Sequence, residues 1–202
     1  AGALELNQAD FDLQGLLAGL DAMFRIRCEQ KGLSWHLARP GPARLPVRGD
    51  EAKLTQVLIN LLANAVKFTE TGSVRLEVTP LPEDWYYFQV ADTGSGISPE
   101  VHAAVFDPFQ QTEEGVGKGG AGLGLSISQK LIELMSGRLE LDSGLAVGAR
   151  LFFCVPLPAA LSDVSAGQRW SLVSQLSAGQ RVTAMVADDV AANREVMTQV
   201  LR

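Results

Sequence analysis

Four short segments between residues 60 and 126 carry side chains and glycines whose spacing suits one chemistry. The first is Asn60-Leu-Leu-Ala-Asn64-Ala-Val-Lys67-Phe68-Thr69, and the second is Asp92-Thr-Gly94-Ser-Gly96-Ile97. Phe106-Asp-Pro-Phe109 and then Gly119-Gly120-Ala121-Gly122-Leu123-Gly124-Leu125-Ser126 complete the series. A neutral amide oxygen such as that of Asn64 is a reasonable magnesium ligand when phosphates supply the negative charge and waters fill the other positions. Lys67 can reach a phosphate as a point charge. An Asp at a strand end is acceptor-only, which suits an exocyclic amino group, and Gly94 and Gly96 let the backbone turn and approach a ligand closely. Unpaired N–H groups at the helix start after the glycine run, with the helix dipole, favour an anion. Taken together and in this order, the segments describe a pocket for a magnesium nucleotide.

Each segment also has a plain alternative. The asparagines can be polar surface residues of a helix, Asp92-Thr-Gly an ordinary turn, and Lys118 a solvated loop lysine. The two phenylalanines can be core, and anchoring one end of a lid is itself core packing. The glycine run is not a Walker loop, since no Gly-Lys-Ser/Thr follows it.

These residues must be held by regular elements, and the strongest helical pattern covers residues 50–68. At 100° per residue from Gln56, Leu54, Val57, Leu58, Leu61, Leu62 and Ala65 fall between about 100° and 240°, whereas Gln56, Asn60, Asn64 and Lys67 fall between about 0° and 80°. Two Asn one turn apart are unusual on a solvated face, because Asn is a poor helix former. Residues 11–31 carry Leu13, Leu16, Leu17, Leu20 and Phe24 at helical spacing, with Asp10 or Asp12 as a cap. A strand and a proline-rich turn fill 32–46. Val74–Val78 and Tyr86–Ala91 read as strands joined across Pro80-Leu-Pro82. Ser98-Pro99-Glu100 opens a short helix over 98–104, residues 110–122 form a mobile loop, and a helix runs from about Leu123 to Met135 with Ile127, Leu131, Leu134 and Met135 on its apolar face. Arg138–Leu141 and Ala149–Val155 are closing strands.

The formal net charge of −6 and the lack of basic clusters argue against nucleic acid as a partner. Cys28 and Cys154 form no CxxC unit; Cys154 lies in an apolar run and reads as a buried small hydrophobe, as in a protein of a reducing compartment. No stretch is long and apolar enough to span a bilayer. The chain opens mid-pattern at Ala1 and stops at Arg202 inside a helical pattern, as a piece of something longer would.

The series resembles the N, G1, F and G2 boxes of sensor histidine kinases, over roughly residues 10–158. The resemblance implies an α+β fold, a two-layer sandwich with a mixed sheet covered by helices on one face. It implies that Asn64 holds Mg2+ with ATP, Lys67 contacts phosphate, Asp92 reads the adenine, and Gly120, Ala121, Gly122, Leu123, Gly124 and Leu125 close over the phosphates. Phe106 and Phe109 would hinge the lid, with Asn60, Phe68, Gly94, Gly96, Ile97, Lys118 and Ser126 completing the nucleotide site. Ala121 departs from the Thr usual in that family, which removes one hydroxyl contact. Related ATPases of the gyrase, heat-shock and mismatch-repair kind carry a Glu one turn before the magnesium-binding Asn to activate water. Asn60 stands there in this chain and cannot act as a general base, so the pocket is suited to transfer rather than hydrolysis.

The acceptor histidine implied by the resemblance belongs to a helical hairpin within a His-Glu/Asp motif, and neither His36 nor His102 has that motif. Residues 1–10 resemble the tail of such a hairpin, 11–158 the catalytic ATP-binding domain and 159–180 a linker. Residues 181–202 resemble the start of a receiver domain, whose acidic pair Asp188-Asp189 would hold Mg2+ in the intact receiver; a capping pair before a helix is the alternative. The implied partners are the phosphoacceptor hairpin of the same protein and a receiver domain or response regulator. The implied full-length protein is a homodimer with this domain in the cytoplasm and an inner-membrane anchor elsewhere. A degenerate nucleotide-binding or interaction module, and an ATP hydrolase, are the competing readings.

Overall fold

The computed structural model describes residues 5–41, 43–98, 104–107, 123–142 and 148–162. The predicted helix over 50–68 is α2 (Glu51–Phe68), and its six apolar stripe residues are all buried, from Leu54 to Ala65. Asp50 caps it: Oδ1 accepts from the Lys53 N–H at 3.0 Å, and Oδ2 accepts from Lys53 Nζ and the Asn7 N–H, each at 2.8 Å. Burial alone would raise the Asp50 carboxyl, but these bonds outweigh it and hold it below the usual carboxylate range. Thr69 ends the helix, its N–H and its Oγ1 both bonding the Ala65 carbonyl.

The first helix, α1 (Leu13–Lys31), is capped by Asp12, whose Oδ1 accepts from the N–H groups of Gln14 and Leu45. It ends at Gly32, which takes the left-handed conformation (φ 73°) and donates back to the Cys28 and Glu29 carbonyls. Gly19, on the exposed side of α1, has nothing within 4 Å of where a Cβ would stand. Gly19→Ala is therefore expected to stabilise the domain by about 0.5–1 kcal/mol, read from the midpoint of urea unfolding.

Five strands form a mixed sheet in the order β2 (Ser34–Ala38), β4 (Ser73–Pro80), β5 (Trp85–Asp92), β7 (Arg150–Pro156), β6 (Arg138–Asp142). The pair β2–β4 is parallel, as its connection through α2 allows, and the other pairs are antiparallel. Alternation sets the two faces. Val74, Leu76, Val78, Phe88, Val90, Leu151, Phe153 and Val155 point into the core, where α1 lies against β2, α2 against β4 and β5, and α3 (Gly124–Leu134) against β6. Phe88 and Phe153 stack there at 5.0 Å between ring centroids. The opposite face carries Arg75, Glu77, Tyr87, Gln89, Phe152 and Cys154, none of them buried. The two-layer sandwich with helices on one face is as expected.

Several particulars differ from the sequence reading. Cys154 is half-buried on the open face, because the alternation that buries Phe153 and Val155 turns it outward. Ile127 is 42% exposed; the buried side of α3 is Ser128, Leu131 and Ile132, continued by Met135. His36 is exposed on β2. A second small sheet had no clear signal: β1 (Ala9–Asp12) pairs antiparallel with β3 (Pro46–Gly49) inside the proline-rich segment. Ala9 and Asp10 thus pair with Gly49 and Arg48 of β3, although the resemblance gives them to a hairpin tail.

The segment after β7 is held on the same ribbon. Ala159 bridges Val47, the Ala160 N–H donates to the Pro46 carbonyl, and the Ser162 N–H and hydroxyl both donate to Asp10 Oδ2, at 2.9 and 2.6 Å. The Ser162 hydroxyl bond does most to hold the Asp10 carboxyl below its ordinary value. Residues 159, 160 and 162 of the segment read as a linker thus lie along this ribbon. A 3₁₀ turn, Ala104–Phe106, sets the half-buried Phe106 against the core.

By contacts the chain divides into two units, Ala1–Ser165 and Ala166–Arg202. The second unit, with Asp188 and Asp189, lies outside the described residues. So do Pro99, Glu100, His102, Phe109, Lys118, Gly120, Ala121 and Gly122. No described helix is long and apolar enough to cross a membrane.

Candidate nucleotide site

Helix α2 is the element on which the described motifs meet. Near its end the Asp92 turn closes so tightly that a Cβ on Gly94 would stand 2.4 Å from the Phe68 carbonyl oxygen. One turn before Asn64, a Cβ on Gly124 would stand 2.3 Å from Asn60 Oδ1. At Gly94 the neighbour is backbone, which only glycine permits, whereas at Gly124 it is the Asn60 side chain. Asn60, Asn64 and Lys67 are all half-buried along this stripe, while Gln56 at its start is exposed.

The C-terminal end of α2 is negative by its dipole, which is a poor neighbour for a phosphate. Two lysines oppose it. Lys31 Nζ donates to the Val66 and Lys67 carbonyls at 2.7 and 3.0 Å, and Lys67 Nζ stands 4.9 Å from the centre of the Phe68 ring.

Asp92 closes β5, and its Oδ1 accepts from the Gly94 N–H at 2.9 Å. Its own N–H donates to the Ala149 carbonyl at 3.0 Å. Burial pushes the Asp92 carboxyl above its ordinary value, and the N–H groups of Gly94 and Ala149 offset this only in part. A carboxylate has about four acceptor positions, so those two bonds leave room for a further donor.

Behind Asp92 the wall is built from residues that the motif pattern passes over. Thr93 Oγ1 accepts from the Ser73 N–H at 2.9 Å, and the Thr93 N–H donates to the Ser73 carbonyl, which ties the turn to β4. Gly72 (φ 108°) leaves room for that hydroxyl. Gly148 (φ 82°) lies against the Asp92 carbonyl, and Gly96 (φ 75°) against Gly148 in turn. The signal for these was present: Gly72 stands two residues before a predicted strand and Gly148 immediately precedes another.

Other predicted residues take structural places. The Ser126 hydroxyl donates to the Leu123 carbonyl at 2.9 Å and is buried within the first turn of α3. Leu125 packs on the core, while Leu123 and Ile97 are half-buried. Asn60 is turned toward α3, where its Nδ2 donates to Ser128 Oγ at 2.9 Å. An open groove of about 560 Å³ runs beside it, lined by Ala52, Thr55, Gln56, Ile59, Asn60, Ala63, Gly124, Ile127 and Ser128. Its lining has no charged side chain.

The site fits a nucleotide on the structure's own terms. A half-buried carboxylate lies at one end, an amide and a lysine at the other, with glycines at the close approaches. A sandwich of this architecture with these groups is a nucleotide-binding domain. Residues 49–159 match the family described as histidine kinase-, DNA gyrase B-, and HSP90-like ATPase, and the chain belongs to that family as an ATP-binding catalytic domain of the sensor histidine kinase kind.

The chain is 35% identical over 161 residues to the autoinducer 2 sensor kinase/phosphatase LuxQ of Vibrio cholerae, a match over 77% of this chain and 19% of that protein. It is 40% identical over 156 residues to the sensor histidine kinase RcsC of Escherichia coli, over 76% of this chain and 16% of the relative. It is 34% identical over 193 residues to the sensor histidine kinase AruS of Pseudomonas aeruginosa, over 93% and 19%. The chain thus spans between 16% and 19% of the length of these relatives. Full-length ShkA in complex with AMPPNP superposes with a TM-score of 0.68 at 36% identity, over 80% of this chain and 34% of that one. The catalytic domain of the histidine kinase ThkA superposes with a TM-score of 0.64 at 26% identity, over 74% of this chain and 97% of that one.

Proposed function

We propose that this domain binds Mg-ATP between α2 and the end of β5 and presents it to a histidine on a separate helical hairpin. The observation that carries this is the closure of the Gly94 turn onto the Phe68 carbonyl, which brings the Asp92 carboxylate and the Asn64–Lys67 end of α2 to one site. Asp92 accepts from the adenine amino group. Asn64 contributes an amide oxygen to Mg2+, and Lys67 balances phosphate charge. The ligand, when bound, supplies the transferable phosphoryl group. The chain contributes by orienting it and neutralising its charge, with no covalent intermediate on this domain.

Residues 181–202 are read as the start of a receiver domain, with Asp188 and Asp189 as its magnesium-holding pair, and 1–10 as the tail of the hairpin. The full-length protein would then be a homodimeric hybrid kinase whose catalytic domain works in the cytoplasm. ShkA, solved with AMPPNP at 36% identity to this chain, supports the nucleotide. Asn60 in place of a carboxylate, with its amide bonded to Ser128, favours transfer over hydrolysis.

The test is calorimetric titration of the chain with ATP, with and without Mg2+, followed by phosphotransfer to an added hairpin carrying a His-Glu/Asp motif. Binding that requires Mg2+ and labelling that requires the hairpin histidine are expected. Absence of binding at millimolar Mg-ATP would sink the kinase reading, and steady phosphate release without a hairpin would favour a hydrolase.

A further inference from the structure

We propose that Asn60 is not a ligand of the nucleotide but one half of a latch that fixes where α3 begins against α2. Ser128 is the other half and Gly124 the point of contact; the consequence for ligand binding rests on the nucleotide reading above. Ser128 is 1% exposed, and its hydroxyl accepts from Asn60 Nδ2 at 2.9 Å. Gly124 stands one turn earlier on the same side of α3, and a Cβ there would lie 2.3 Å from Asn60 Oδ1 and 3.0 Å from its Cγ and Nδ2. The Asn60 carboxamide thus spans two successive turns of α3, bonded to one and in contact with the other.

Apolar packing alone would not set this register. The buried apolar positions of α3, Leu131 and Ile132, lie in its second half, and hydrophobic contact is non-directional. The directional bond at Ser128 fixes rotation about the helix axis, and the missing side chain at Gly124 fixes the distance. Both matter because α3 starts immediately after the glycine run, and the N–H groups of its first turn are the ones without intrahelical partners. Asn60 lies one turn, about 6 Å, before Asn64 on the same face of α2. The latch therefore refers the start of α3 to the proposed magnesium ligand through a single helix turn.

Gly124→Ala separates this from a bland packing role. The new methyl must expel the Asn60 carboxamide and break the bond to Ser128. An Asn60→Ala background removes the three atoms nearest to the new methyl. The experiment measures Mg-ATP affinity of the whole chain by calorimetry, with amide hydrogen exchange at residues 124–128. Asn60→Ala, Ser128→Ala and Gly124→Ala are each expected to weaken binding about five- to thirtyfold and to speed exchange at those amides. Because they break one device, Asn60→Ala combined with Ser128→Ala is expected to be no worse than the poorer single variant. Adding Gly124→Ala to Asn60→Ala is expected to cost nothing further. Asn60→Asp, whose carboxylate can instead accept from the Ser128 hydroxyl with the bond reversed, is expected to fall between wild type and Asn60→Ala.

Multiplicative losses in the double variants would overturn the latch. So would loss of magnesium dependence in Asn60→Ala with a silent Ser128→Ala, which would make Asn60 a direct ligand. If the wild-type chain does not bind Mg-ATP, the nucleotide reading fails instead. The exchange rates and their non-additivity then still decide the latch.

Discussion

Asp92→Ala is expected to weaken Mg-ATP binding by about 10- to 100-fold, the range for losing a hydrogen bond to a charged acceptor. Asp92→Asn tells more. Its Oδ1 can keep the bond from the Gly94 N–H, now 2.9 Å from the aspartate oxygen, so the turn survives. The amide nitrogen then meets the adenine amino group donor to donor, whereas the carbonyl of guanine becomes an acceptable partner. The ratio of ATP to GTP affinity is expected to fall by at least about tenfold. Unchanged discrimination would remove Asp92 from the adenine role.

The same substitution is expected to stabilise the ligand-free domain. Burial raises the Asp92 carboxyl above its ordinary value of 3.8, with the N–H groups of Gly94 and Ala149 offsetting it in part. A folded-state value above the unfolded one means that the folded chain holds the proton more tightly. The contribution of this group to stability is therefore full below the unfolded value and lost as pH rises through the folded one. At pH 7 the ionised carboxylate weighs against the empty fold, and an uncharged isostere removes that cost. A melting temperature that rises while ATP affinity falls would mark Asp92 as a residue kept for its ligand.

How much of this was legible depended on whether a signal was local. The stripe of α2 could be read because Leu54 to Ala65 repeat at helical spacing for about three turns, and all six are buried. β4, β5 and β7 were legible from alternation. β1 and β3 were not: four residues each, one opened by Pro46, they are strands only because they pair with each other across more than 30 positions. The direction of Asn60 was equally hidden. Its place on the polar stripe was clear, but its partner Ser128 lies 68 residues away, and nothing local distinguishes an amide aimed at a ligand from one aimed at a neighbouring helix. Ile127 misled for a related reason. It fits an apolar periodicity, yet α3 approaches α2 through Gly124 and Ser128, small residues that carry no hydrophobic signal.

Gly148→Ala is expected to damage both stability and binding more than its size suggests. Gly148 has φ 82°, a conformation that costs an L-residue about 1–2 kcal/mol. Its Cβ would also stand 1.9 Å from the Asp92 carbonyl oxygen and 2.9 Å from Thr93 Cα. Both neighbours are backbone. Gly124→Ala can be relieved by a side chain swinging aside, but here the end of β5 itself must move, at about 1–3 kcal/mol for overpacking. The sum predicts a melting temperature lower by roughly 5–15 °C in a domain of this size. Gly96 would lose its register as well, since it lies against the Gly148 carbonyl. Movement there carries Asp92 away from α2, so Mg-ATP affinity is expected to fall at least as far as in Asp92→Ala, at temperatures where the variant is still folded. Gly19→Ala on the exposed side of α1 makes the same chemical change with the opposite expected sign. A Gly148→Ala variant that melted and bound like wild type would mean that the Asp92 strand end does not depend on this contact, and that α2 alone sets the site.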